Sequence, residues 1–130
     1  METNEALADL KVLELGTMVT APVVAKMLAD HGAQVIKIES MAKVDVSRAY
    51  LPMAGGIRGV NRCLAFAAWN NNKYSIALNL NKPRAVEVAE RLVEWADIVL
   101  ENFMPGTLEK WGLDYESLTT IKPGIIMLRT

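Results

Sequence analysis

DIVLENFMPGTLEKWGLDYESL, residues 97–118, is the stretch whose reading decides the fold. Its apolar run, Ile98 to Leu100, is too short for a helix and is bounded by polar residues, as a strand buried on both faces of a parallel sheet is. Asn102, Phe103, Pro105 and Gly106 then force a turn just past the strand's carboxyl end. In open α/β sheets ligands sit at that edge, so the turn marks a candidate binding edge.

Upstream of it, Lys82 to Ala96 reads as an amphipathic helix. Pro83 stands at its start, Ala85, Ala89, Leu92 and Ala96 recur at helical spacing, Val86 and Val93 widen the stripe, and Glu87 lies one turn from Arg91. Ser75 to Leu80 alternates, with Ile76, Leu78 and Leu80 on one face, and reads as a strand. Lys11 to Leu15 and Gln34 to Glu39 form two more strands. Between them runs a helix from about Pro22 to His31, with Val24, Met27 and Leu28 as its buried stripe and Gly32 as a left-handed C′ residue. Glu14, inside the first strand, reads as a paired structural carboxylate rather than a catalyst. His31 falls in the helix's last turn, where an imidazole caps free carbonyls.

Leu64 to Asn70 reads as a short helix before the NNNK turn. Downstream, helical pieces around Thr107 to Trp111 and Tyr115 to Ile121 precede Gly124 to Leu128, which is apolar and β-branched in the manner of an interior strand. The pattern describes an α/β, Rossmann-like three-layer unit with a mostly parallel sheet of about five strands, its last strand left uncovered.

Composition narrows the function. The 130-residue chain is 52% apolar with a net charge of −1, which suits a globular domain and provides no broad field for nucleic acid or an anionic membrane. A small-molecule partner follows. Cys63 is the single cysteine, which excludes an internal disulfide and a cysteine-built metal site and suits a reducing cytoplasm; with no histidine near it in sequence it is a poor catalytic thiol. The acidic N-terminus lacks the apolar core of a signal peptide, and no apolar run reaches membrane-spanning length. From Ser40 to Asn61 a long loop carries Pro52, Gly55, Gly56 and Gly59, with Lys43, Arg48, Arg58 and Arg62 in or beside it. Those cations equally suit phosphate contacts or a solvated face. The turn after the first strand, GTMVTAP, lacks the G-x-G-x-x-G fingerprint, so an NAD site loses its main support.

Four ordered blocks carry a family resemblance: Leu10 to Glu14 with Ala21-Pro22, LADHGAQVIKIE (28–39), NNKYSIALNL (71–80) and ADIVLENFMPGTLEKWGLDYESL (96–118). In that order and spacing they resemble the N-terminal part of the class III coenzyme A transferases, the CaiB/BaiF family, which includes the α-methylacyl-CoA racemases. Family members run to roughly three times this length. The resemblance implies a tail over residues 1–9 and, over 10–130, an N-terminal CoA-binding Rossmann-like domain of an interlaced homodimer whose C-terminal part is absent here.

Carried over position by position, the resemblance assigns CoA contacts to Met18 and Val19 in the first turn, to Ser40 where an arginine is common, and to Leu78 and Asn81 after the third strand. At Asn81 a lysine is common, and Lys82 is adjacent. Asn102 and Phe103 match contacts beyond the fourth strand, and Lys110 and Trp111 match a basic residue and its neighbour near the nucleotide. Lysine there keeps the charge without arginine's bidentate fork. CoA presents phosphates that need cations and N–H donors, and an adenine that lies against apolar or aromatic surface. From spacing alone, Phe103 and Trp111 read as core anchors and Lys110 as a solvated lysine; the resemblance reverses that weighting.

The implied reaction moves CoA between carboxylic acids. An aspartate carboxylate attacks the acyl-CoA thioester, and an enzyme-bound anhydride forms before CoA passes to the acceptor acid. That aspartate lies beyond Thr130, so no catalytic residue is expected within this chain, and Asp45, Asp97 and Glu101 read as loop or strand-end carboxylates. No prosthetic group and no metal are implied; acyl-CoA and an acid acceptor are the partners. The alternatives are an α-methylacyl-CoA racemase of the same family, an ordinary nucleotide-binding module, and a non-catalytic assembly subunit that pairs through its last strand.

Overall fold

A computed structural model describes residues 5–130. Its elements in chain order are β1 (Lys11–Glu14), α1 (Thr20–Asp30), β2 (Gln34–Glu39), α2 (Leu64–Asn70), β3 (Tyr74–Ala77), α3 (Pro83–Trp95), β4 (Ile98–Glu101), α4 (Tyr115–Ile121) and β5 (Ile126–Arg129). The five strands form one sheet in the order β3-β2-β1-β4-β5, every pairing parallel. The α/β reading therefore holds, and the sheet is wholly parallel.

Period-two alternation divides the central strands between two cores. Val12, Val35 and Leu100 pack with Ala21, Ala25 and Ala29 of α1 on one face. Leu13, Ile38 and Val99 pack with Ala89 and Val93 of α3 and Leu118 of α4 on the other. Since both faces are covered, β1 and β4 have no polar face, which is why they read as continuous apolar runs.

Helix α1 corrects one expectation. Met27 is exposed, and the buried face consists of Ala21, Pro22, Ala25 and Ala29. Small residues let the helix lie close to the sheet, so the bulkier Met27 turns outward. The helix ends as expected: Gly32 adopts φ +105° and His31 Nδ1 donates to the Met27 carbonyl at 2.7 Å. Along α3, Glu87 and Arg91 form no ion pair among the described residues, as suits two exposed side chains whose pairing is worth only a few tenths of a kcal/mol.

Two strand expectations also change. The third strand covers Tyr74–Ala77 rather than Ser75–Leu80. Leu78 N–H still donates to Glu39 O at 3.0 Å, after which a turn closed by Lys82 N–H on Asn79 O swings Leu80 into the core. The last strand lies at the sheet's edge, not in its interior. It pairs only with β4, and Ile126 and Leu128 are exposed. Its apolar composition matches that of an interior strand, but its place in the strand order leaves it without a second neighbour.

Candidate functional site at the carboxyl edge of the sheet

The turn from β1 into α1 is held from both sides. A Cβ on Gly16 would stand 2.2 Å from Ala21 Cβ and 3.1 Å from Asn102 Oδ1, so only glycine lets the helix start this close. Asn102, just past β4, accepts from Thr17 N–H at 2.8 Å and donates through Nδ2 to Thr17 O at 2.8 Å. This amide therefore joins the carboxyl ends of β1 and β4, where the strand order departs on opposite sides from β1. That crevice is the switch point at which open α/β sheets bind ligands.

Beneath the turn lies a buried charge network. Glu14 and Lys37 are register partners on β1 and β2, and Lys37 Nζ donates to Glu14 Oε1 at 2.8 Å and to Gly16 O at 2.7 Å. Lys73 Nζ donates to Glu14 Oε2 at 2.7 Å, to Pro22 O at 2.7 Å and to Asn70 Oδ1 at 3.1 Å. Burial pushes the Lys73 amine below the ordinary lysine value, against the pull of Glu14. Glu14 is thus the paired structural carboxylate that its sequence position suggested.

Sequence reasoning missed Lys37 and Lys73, and it set Asp45 aside as a loop carboxylate. A detectable signal existed for the first, since opposite charges at matching places in two otherwise apolar strands, VLEL and VIKIE, point to a cross-strand pair. None existed for Lys73, which meets Glu14 from 59 residues away.

On the β4 side the edge presents aromatic and amide groups. Phe103 and Trp111 meet edge to face with centroids 5.6 Å apart, and Trp111 Nε1 donates to Asn81 Oδ1 at 3.1 Å. Both rings and Leu78 are partly buried against the core, so they act as anchors and still present surface. Lys110 is exposed in the single 3₁₀ turn Glu109–Trp111. Met18 and Val19 are exposed beyond the β1 turn, and Ser40 follows β2, its Oγ accepting from Ala42 N–H.

The structure therefore joins Asn81, Phe103 and Trp111 in one contact set and links Asn102 to the turn that carries Met18 and Val19. Ser40 and Lys110 make no side-chain hydrogen bond or ion pair with either group among the described residues. Two concavities, along Glu5–Leu10 and between α3 and α4 at Glu90 and Glu116, are lined by none of these residues. Met18, Val19 and Lys110 stand exposed along this edge.

The loop cations separate into two kinds. Arg48 makes a bidentate pair with Glu39 at 2.7 and 3.1 Å and stacks 3.6 Å from the Phe66 ring, while Arg62 donates to the Ala54 and Ile57 carbonyls. Both brace the loop. Lys43 and Arg58 form no ion pair among the described residues. The three set-aside carboxylates are all engaged: Asp97 accepts from Lys11 N–H, Glu101 accepts from Phe103 N–H and pairs with Arg129, and Asp45 is buried under the β1 turn. Cys63 Sγ accepts from Phe66 N–H at the start of α2. Among the described residues no helix is long and apolar enough to cross a membrane, and no group of three or more His, Cys, Asp and Glu could hold a metal ion.

Fold and edge together define a wholly parallel, Rossmann-like α/β domain. Comparison with known proteins is more specific. The model of CoA-transferase family III matches residues 7–130. The chain is 44% identical over 123 residues to a succinyl-CoA–D-citramalate CoA-transferase of Chloroflexus aurantiacus, covering 95% of this chain and 30% of that protein. It is 38% identical over 128 residues to the beta subunit of a succinyl-CoA–L-malate CoA-transferase of the same organism, covering 98% and 30%. Among solved structures, a CaiB/BaiF family protein from Brucella suis superposes with a TM-score of 0.87 at 40% identity, covering 98% of this chain and 33% of that one. The chain belongs to CoA-transferase family III. It spans about a third of the length of these relatives.

Proposed function

We propose that this chain is the N-terminal, CoA-binding part of an acyl-CoA:carboxylate CoA-transferase. The observation that carries the proposal is the carboxyl edge itself: in a chain of this family, Asn102 ties the β1 turn to the end of β4 while Asn81, Phe103 and Trp111 build an aromatic and amide surface beside Lys110. Backbone and side chains at Met18, Val19, Ser40, Leu78 and Asn102 line the path of the ligand. The aromatic surface takes the adenine, and Lys110 meets a phosphate. Relatives named for succinyl-CoA favour a dicarboxylyl-CoA donor and a carboxylic acid acceptor, and favour transfer over racemisation.

The bond-making carboxylate, an aspartate beyond Thr130, attacks the thioester carbonyl. The C–S bond breaks, CoA leaves as thiolate, and an acyl-aspartyl anhydride remains; the thiolate then attacks the aspartyl carbonyl, releasing the first acid and leaving an aspartyl-CoA thioester. The acceptor carboxylate attacks that thioester and expels the thiolate, which attacks the acceptor's acyl carbonyl in the second anhydride, giving the new acyl-CoA and the free aspartate carboxylate. The carboxylates weighed for that role, Asp45, Asp97 and Glu101, are each engaged by other groups, so the chain alone is expected to transfer nothing. Its exposed β5 edge suits association with a second chain, in keeping with an interlaced homodimer in the complete enzyme. The buried, unpaired Cys63 thiol suits a cytoplasmic setting.

Calorimetric titration with CoA, NAD and ATP in parallel tests the reading. Weak CoA binding and no NAD binding are expected, because an open edge leaves part of the ligand in water. NAD binding tighter than CoA overturns it.

A further inference from the structure

Asp45 lies in the long loop after β2, yet its side chain is only 1% exposed. Its Oδ1 accepts from Met18 N–H at 3.1 Å, Ser47 N–H at 2.9 Å and Ser47 Oγ–H at 2.7 Å. Its Oδ2 faces Lys37 Nζ at 3.3 Å and has no hydrogen-bond partner. Desolvating a carboxylate and leaving one oxygen without a hydrogen bond is costly. Its counterpart, Lys37, is equally buried and grips Gly16 O.

Seen along the turn, the pattern is complete. Gly16 O is taken by Lys37, Thr17 N–H and O by Asn102, and Met18 N–H by Asp45. Met18 is held at φ +63°, a left-handed conformation that a non-glycine residue adopts only when its surroundings impose it. The bonds hold the backbone from beneath, and the side chains of Met18 and Val19 stay exposed. A turn that only linked a strand to a helix would not require a buried ion pair to hold it in a strained shape.

We propose that Asp45 and Lys37 are positioning residues that lock the β1 turn in the shape that contacts CoA, Asp45 acting through the Met18 amide and Lys37 through the Gly16 carbonyl. The proposal rests on the CoA-binding reading above and adds residues that touch no ligand themselves. It separates hydrogen-bond acceptance from charge: Asp45→Asn keeps an oxygen for Met18 N–H, whereas Asp45→Ala removes it.

The test is an NMR titration of the 130-residue chain with CoA, together with amide hydrogen exchange at Met18 and a thermal melt. Val93→Ala, a core truncation away from the turn, serves as a control for general destabilisation. Asp45→Ala is expected to weaken CoA binding about tenfold and to speed Met18 exchange by a similar factor, as loss of one buried bond to a charged group implies. Asp45→Asn should restore affinity to within about threefold, and Val93→Ala should leave it unchanged. If Asp45→Ala does not fold, Ser47→Ala, which removes the hydroxyl that orients the carboxylate, should produce the same two shifts in smaller measure. Equal affinity and equal Met18 exchange in the unaltered chain and these variants overturn the positioning role. Failure of the unaltered chain to bind CoA overturns the proposed function instead, and Met18 exchange then still decides whether Asp45 holds the turn.

Discussion

Between β1 and β2 the carboxyl edge is closed by charge: Glu14, Lys37, Lys73 and Asp45 are buried and bonded to one another and to the backbone. Beyond β4 the same edge is built from an amide and two rings, Asn102, Phe103 and Trp111, partly exposed and backed by apolar core. In the first half the charged groups are turned inward and hold the backbone of the β1 turn. The second half has aromatic surface to offer, and its buried charge, Glu101, is paired with Arg129 behind that surface. Substitutions in the charged half should therefore damage the fold and reach binding only through the β1 turn, and substitutions in the aromatic half should damage binding directly.

The largest effect is expected from Glu14→Gln. Glu14 faces two buried ammonium groups, and with its charge removed only Asp45 remains to balance them. Removing one member of a buried ion pair costs about 3–5 kcal/mol. In urea denaturation the variant should lose most of its stability or fail to fold. A loss below about 1 kcal/mol would mean that the network is solvated and that the contrast between the halves is wrong.

Asn102→Ala comes next, because Asn102 belongs to both halves. It deletes bonds to Thr17 N–H, Thr17 O and Thr20 Oγ1 at a partly buried site, so about 1–3 kcal/mol is expected. CoA affinity should fall with it, since the turn loses its tie to β4. Urea denaturation and CoA titration of one preparation check both. A variant that loses stability but binds CoA as before would move Asn102 wholly into the scaffold.

The acid response is smaller and belongs to the charged half. Burial pushes the Asp45 carboxyl up, but the hydrogen bonds from Ser47, the Lys37 charge and the Met18 amide outweigh it, and the carboxyl ends below its ordinary value. A carboxylate whose folded pKa is depressed adds stability that is fully present above the unfolded value of about 3.9 and is lost as pH falls through the folded one. The stability difference between the unaltered chain and Asp45→Asn should accordingly be level from neutral pH to about pH 5 and shrink below about pH 4. A difference that grows on acidification reverses the sign and removes Asp45 from the set of stabilising charges.

What could be read from the sequence follows from how local each signal is. Gly32, His31 and Ala89 of α3 act within a turn or two of their own positions, and the structure has them where pattern placed them. Asn102 was legible as a turn residue at the sheet edge, although its two-point bond to Thr17, 85 residues away, was not. Asp45 read as an ordinary loop carboxylate because its burial depends on a turn 27 residues earlier folding back over it. Strand β5 misled for the opposite reason. Its side chains are those of an interior strand, and burial was decided by its rank in the sheet, which no local pattern encodes.

Lys110→Ala should have the smallest effect on the fold and the most selective effect on the ligand. Lys110 is exposed in a one-turn helix and makes no ion pair among the described residues, so its truncation should shift stability by no more than about 0.5 kcal/mol. Its neighbour Trp111 is fixed by Phe103 and Asn81, so the aromatic surface survives the substitution. What should be lost is the charge proposed to meet a phosphate in ground state and transition state alike, and loss of such uniform binding affects KM rather than kcat. In a transferase completed beyond Thr130, KM for the CoA ester should rise while kcat holds, and the effect should fade at high salt as the solvent-exposed charge is screened. A fall in kcat at constant KM would make Lys110 a group that acts only in the transition state, and the aromatic half of the edge would then take part in the chemistry as well as in binding.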